Sequence, residues 1–353
     1  MAYSTINDPS AYFHTELYSG NGSTQVITNT ALGDFKPDWL WTKSRNDSFD
    51  HITRDSSRGV AKRLITHSTG AEDSNSGTSS FNTDGFTLDS TNTVNKSSDT
   101  YVAWQWKANG GSTTTNDASA TSVGNQDSVY QANTTSRFSM FTYGPLGSGG
   151  QIAHGLGAIP HVILIKSRSG TRDWCMYHHR NTSAPETDFL SINQNVGTQD
   201  ATVWNDTVPT STVVSVSGDG KVGTDETYIG YAFREVQGYS KFGSYTGNGN
   251  ADGPFIYTGF KPHWVLIKET GATRNWAVAD SDMQATGNGG NTNAFQTNTN
   301  AAQDANERMD WLSNGFKIRT TSTTWNTSGG NFIYMAFADK TLVGTNNVIS
   351  LAR

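Results

Sequence analysis

The sequence predicts an all-β fold: three tandem homologous domains, each a β-sandwich or jelly roll. Two observations carry this. A strand-like stretch that opens on proline occurs three times, and each copy ends in a second apolar stretch at a similar distance. The intervening residues are Gly-, Ser-, Thr- and Asn-rich, with no sustained 3.6-residue apolar period.

The proline stretches are "GDFKPDWLWTKSR" (33–45), "LGAIPHVILIKSRSG" (156–170) and "TGFKPHWVLIKETG" (258–271). Aligned on Pro37, Pro160 and Pro262, they run in step to Lys43, Lys166 and Lys268. Proline donates no ladder hydrogen bond, so it belongs at a strand's first residue or on an edge. Behind it both alternate sets of positions are apolar, which predicts a central strand covered on both faces. Trp264 and Leu266 are expected on one face, Val265 and Ile267 on the other. Downstream, "TRDW" and "TRNW" end at Trp174 and Trp276, each fourteen residues past its proline.

The closing stretches are "YVAWQWK" from Tyr101, "YIGYAFR" from Tyr228 and "FIYMAFA" from Phe332. Val102, Trp104 and Trp106 alternate with Ala103 and Gln105. Large side chains on one face predict a core, and small ones on the other predict a second layer close by. The Asp-Gly and Asn-Gly turns of "NTDGFTLDS" (82–90) and "LSNGFKIRT" (312–320) suit tight reversals. The middle copy has "VVSVSGDG" (213–220) instead. Only "AAQDANERMDWL" (301–312) offers a short helix.

These markers set domains at 11–108, 137–236 and 239–340. Residues 1–10 and 341–353 are expected as arms. Residues 109–136 read as a low-complexity linker. "EVQGYS" joins the second and third domains tightly.

With 10 Trp, 13 Tyr and 16 Phe in 353 residues, the chain has ample apolar area to bury, which argues against disorder. The net charge of −6 argues against a nucleic-acid partner. Cys175 is the single cysteine, so no intrachain disulfide can form, which fits cytosolic synthesis. "MAYSTINDPS" has no basic or apolar leader region, and no apolar run reaches the roughly 18 residues of a membrane helix. The sequons at Asn21, Asn181 and Asn326 read as by-products of composition.

Little catalytic chemistry is legible. His178 and His179 are adjacent on a strand, hence on opposite faces, and make a poor chelate; they read as a surface strand. Asp38, His161 and His263 share one repeat position and one strand-mouth role. The recurrent lysines are expected to snorkel to solvent. Cys175 reads as a packed thiol. "GNGNADG" (247–253) reads as a hairpin loop. No cofactor, metal ligand set or enzymatic activity is expected, although oxygen-bearing loops leave Ca²⁺ binding open. Trp204 in "ATVWNDT" and Trp325 in "TTWNTSG" are candidate glycan-stacking residues. The plainer reading of each is a cap over its own core.

The stretches "DPSAYFHTELYSGNGSTQVIT", "FKPDWLWTKSR", "SFNTDGFTLDS" and "YVAWQWKANGG" resemble an uncharacterised domain of structural proteins of marine tailed bacteriophages, of cyanophage and pelagiphage type. The first copy matches most fully; the second departs most, with Ile159-Pro160 in place of Lys-Pro. The resemblance implies concanavalin-like sandwiches in a virion protein and does not place it on the particle. It transfers no catalytic residue. A tail fibre or appendage component that binds host-surface glycan is the expected role. A capsid decoration protein is the alternative, and a free lectin-like module or glycan depolymerase is a further one. The expected partners are other virion proteins and the chain itself, as a homo-oligomer. Three-fold symmetry is favoured by analogy with phage fibres and spikes.

Overall fold

The computed structural model describes residues 4–31, 34–284, 292–306 and 308–338. Three large antiparallel sheets dominate it, and they share one strand order. The first runs Phe13–Ser19, Thr100–Trp106, Trp39–Ser44, Ile52–Asp55, Arg63–Ile65. The second contains Phe138–Tyr143, Tyr228–Phe233, Val162–Ser167, Cys175–His178 and Asp188–Ser191 in the same succession. The third contains Ser240–Thr246, Asn331–Phe337, Trp264–Glu269, Ala277–Asp280 and Thr292–Phe295. The register repeats as well, with Trp39 opposite Trp106, Val162 opposite Phe233 and Trp264 opposite Phe337. We call each large sheet with its small companion sheet a unit.

The period-two pattern of the proline and closing strands is realised on both faces. Trp39, Trp41, Trp104 and Trp106 of the first unit join one apolar cluster with Val162, Leu164, Tyr231 and Phe233 of the second and Trp264, Leu266, Met335 and Phe337 of the third. All three large sheets therefore turn one face to a common aromatic centre. Trp39 stacks on Trp106 at 4.5 Å and on Tyr231 at 4.6 Å, and Trp106 meets Trp264 edge-on at 5.7 Å. The opposite faces are covered by small sheets. Leu40 and Ala103 pack with Ile27 and Phe86, Ile163 with Val214 and Val216, and Val265 and Ile267 with Ile256 and Phe316. Small residues on the closing strands let these outer layers approach. Within the second large sheet, Gly230 instead makes room for the ring of its cross-strand partner Phe141, from which a Cβ would fall 2.2 Å.

Equivalent residues tie the units in a ring. Glu72 donates its backbone N–H to Arg168, Thr198 to Thr270, and Gln303 to Arg45, so that each unit meets the next and the third returns to the first. The three accepting carbonyls stand eight residues past their prolines. Side chains repeat the cycle. The Tyr231 hydroxyl donates to Asp55, His178 bonds the Tyr334 carbonyl, and the Trp104 indole and Thr15 hydroxyl donate to Asp280. Trp174 and Trp276 donate their indole N–H groups back to the carbonyls of Ile65 and Ser191 in the preceding unit.

Three expectations are corrected. Residues 109–136 are not a bare linker: Thr114–Asn116 and Ser128–Asn133 extend the second large sheet beyond Phe138–Tyr143. Residues 301–312 form strands Asp304–Asn306 and Met309–Leu312, not a helix; Met309 and Trp311 alternate inward with period two. Within the expected N-terminal arm, Ile6 is buried in the common centre of its own chain. Residues 1–3 and the expected C-terminal arm, 341–353, lie outside the described residues. No helix among the described residues is long and apolar enough to cross a membrane.

Candidate functional site

The residue after each proline sits at the mouth of a central strand, and its carbonyl accepts the N–H of the residue just past the neighbouring strand. Asp38 pairs with Ser56 in this way, His161 with His179 and His263 with Ser281, each at 2.8 Å. The shared strand-mouth role is therefore a backbone fact, and the side chains differ. Asp38 accepts from the Ser56 hydroxyl and from the N–H groups of Ala108 and Gly110. His263 meets the Ser281 hydroxyl at 2.8 Å and the Asp282 carboxylate at 3.1 Å.

In the second unit the same position builds a different cluster. The rings of His161 and His179 stack face to face, 3.9 Å apart and 7° from parallel. Glu235, just past the closing strand, completes the group, with its Oε2 3.7 Å from His161 Nδ1. One ligand atom from each of the three lies within 4.8 Å of the other two. His179 donates its Nε2 proton to the Phe242 carbonyl on the first strand of the third unit, while Lys241 holds Glu235 Oε1 at 3.1 Å. Burial pushes His179 down to about 4. Burial works to raise Glu235, but the neighbouring His161 and Lys241 outweigh it and hold the carboxyl at about 2. At neutral pH the site thus pairs a neutral imidazole with a fixed carboxylate.

Two hollows open beside this cluster and share Arg234 and Glu235. One, of about 510 Å³, is lined by Thr134, Arg137, Ala158 and Val236. The other, of about 370 Å³, is lined by Ser240, Lys241, Tyr257 and Thr258. Tyr257 is 59% exposed, and Phe255, two residues back on the same face of an edge strand, is 47% exposed.

The sequence-predicted candidates lie elsewhere. Trp204 is 1% and Trp325 2% exposed, so neither can stack on a sugar. Trp204 packs in the second unit's outer core and donates its indole N–H to the Asp188 carbonyl. Trp325 lies in the third unit's outer core, beneath the Arg308 guanidinium. Both cap their own cores.

The lysines do not snorkel. Lys43, Lys166 and Lys268 are fully buried, and carbonyl oxygens cage each ammonium. Lys166 and Lys268 reach carbonyls of the preceding unit, at Thr69 and Asn195. Burial pushes all three down to about 8. Cys175 is a packed thiol, raised by burial. His178 is buried, not a surface residue; its ring lies 5.5 Å from that of His179, tilted 47°, and bonds the Tyr334 carbonyl of the third unit. Asn326 is also buried, and its amide donates to Asn250 and Thr320 carbonyls, pinning the "GNGNADG" hairpin.

Sequence reasoning missed Tyr257 and Phe255. Their signal is the triplet Phe-Ile-Tyr, whose middle residue alone is buried. It also missed the meeting of His161, His179 and Glu235, three residues spread over 75 positions of sequence that only the strand pairing brings together.

A family model, described as a domain of unknown function (DUF7483), matches residues 8–341. No curated protein and no solved structure matches the chain.

Proposed function

The chain belongs to the DUF7483 family, a domain of unknown function, and we propose that it is a structural protein of a tailed-phage virion. In this reading it is a tail fibre or appendage component that meets host-surface glycan through the Tyr257 cleft. Its three units are homologous β-sandwich repeats of the jelly-roll or concanavalin-like class. The phage assignment is supported by the sequence resemblance. The observation that carries the adhesive reading is the cleft: an exposed Tyr257 beside Lys241, Ser240, Gln237 and Arg234. An aromatic face stacks on the apolar side of a sugar ring, while polar neighbours bond its hydroxyls. The interlocked units behind it make a rigid platform, which lowers the ordering cost of binding. Self-association into a homo-oligomer, three-fold by analogy, is part of the same reading.

The test has two arms. Gold-labelled antibody against the chain should decorate a fibre or appendage of the particle. Labelled full-length chain should bind bacterial surface polysaccharide and lose at least tenfold in affinity on Tyr257→Ala, with its melting temperature unchanged. Labelling confined to the capsid surface, with no polysaccharide binding, would replace this reading with a decoration protein.

A further inference from the structure

We propose that His161, His179 and Glu235 bind one divalent transition-metal ion of the Zn²⁺ type, within the second unit where it borders the third. Two imidazole nitrogens and one carboxylate oxygen are the donor set such an ion takes, with a fourth position left for water. The three donors are gathered in one place. The rings stand 3.9 Å apart, and one donor atom from each residue falls within 4.8 Å of the others. Imidazole binds an ion in its ring plane, so rings 7° from parallel must first swing out of their stack about the side-chain torsions, and the three atoms then close inward by about an ångström to reach roughly 2.1 Å per bond.

The hydrogen bonding around the cluster points the same way. His179 spends its Nε2 proton on the Phe242 carbonyl, so its Nδ1 keeps a lone pair. Donation of the second nitrogen to a backbone carbonyl is the arrangement that orients metal-binding imidazoles. His161 Nδ1 is buried and makes no hydrogen bond, its ion-pair neighbour Glu235 Oε2 standing at 3.7 Å. A buried imidazole nitrogen without a hydrogen bond is costly unless something occupies it, and a metal ion would. Glu235 divides its oxygens: Oε1 faces Lys241 and Oε2 faces His161. The ammonium of Lys241 opposes a cation and fixes the carboxylate's orientation; the three donors together outweigh it at close range.

The other two units act as internal controls. Where the second has His161 and His179, the first has Asp38 and Ser56 and the third His263 and Ser281. Serine at the second of these positions is compatible with the fold, because two units carry it.

Tag-free full-length chain, stripped with chelator, is titrated with ZnCl₂ by calorimetry and with CoCl₂ by absorption. The expected result is one ion per chain, a tetrahedral Co²⁺ spectrum, a raised melting temperature and no comparable binding of Mg²⁺. His179→Ser should fold as the metal-free wild type does and lose at least 100-fold in Zn²⁺ affinity. Glu235→Gln is an independent second variant with an expected loss of at least tenfold. Absence of Zn²⁺ binding at micromolar protein would overturn the proposal. So would binding that both variants leave unchanged.

Discussion

Trp264 is the sharpest place to perturb the common centre. It is 1% exposed and touches rings of two units, Phe13, Trp41, Trp104 and Trp106 of the first and Phe337 of its own. Trp264→Ala removes a large buried aromatic and should cost roughly 3–5 kcal/mol. What that does to melting depends on how much of the chain unfolds together. Unfolding entropy is about 2.1 cal/mol/K per residue, so the whole chain melting as one body carries roughly 0.7 kcal/mol/K, and the midpoint drops by about 4–7 °C. A unit of roughly 100 residues melting alone carries about 0.2 kcal/mol/K, and its midpoint would drop by about 15–25 °C. The cyclic ties and shared centre predict the first outcome. Scanning calorimetry should show a single transition in the wild type and a single, modestly shifted one in the variant. A thermogram in which about a third of the enthalpy separates and moves far down in temperature would refute the shared-core argument.

The buried lysines give a pH signature. Each is lowered from 10.5 to about 8, so between those values the folded state has released protons that the unfolded chain still holds. Stability therefore rises with pH across that window, by up to on the order of 3 kcal/mol per lysine, and the contribution is absent below pH 8. Cys175 and buried tyrosines such as Tyr143 and Tyr231, all raised by burial, work the other way, but a tyrosine ionises at about 10 when unfolded and adds little below about pH 9.5, so the lysines dominate there. Urea midpoints between pH 7.5 and 9.5 should climb, and less steeply in Lys166→Met; a flat or falling profile in the wild type contradicts the cage reading. Trp204→Ala should lower stability by roughly 3–5 kcal/mol in a denaturant titration, whereas Tyr257→Ala should stay within about 0.5 kcal/mol. A neutral Trp204→Ala would put that ring back on the surface.

The parts of the fold that the sequence made legible are those set by local alternation. Trp264 and Leu266 do face away from Val265 and Ile267, and the small residues of the closing strands do admit a second layer. Alternation says that both faces are covered, not by what, so the shared centre was invisible: each unit looked able to close its own core. Thr114–Asn116, at the sheet edge, and Ser128–Asn133, next to it, were hidden because strands with partly exposed faces need few apolar residues. The lysines misled because a cage of carbonyls has no side-chain signature. The histidine cluster was obscured by sequence adjacency, which drew His178 into view in place of His161.

The ring of ties also bears on how the chain reaches its fold. Thr15 bonds Asp280 across 265 residues of sequence, and Arg45 accepts from Gln303. Contacts of that span close late, because a long loop loses entropy before the contact forms, and chains rich in them fold slowly. Until the third unit is in place, Trp39, Trp104 and Trp106 stand on a sheet face with nothing over part of it. A growing chain thus carries an open aromatic face through most of its synthesis, the kind of surface that captures other unfinished chains. Holding it apart until Trp264 and Phe337 arrive is work for a chaperone, and yield at high expression should depend on one.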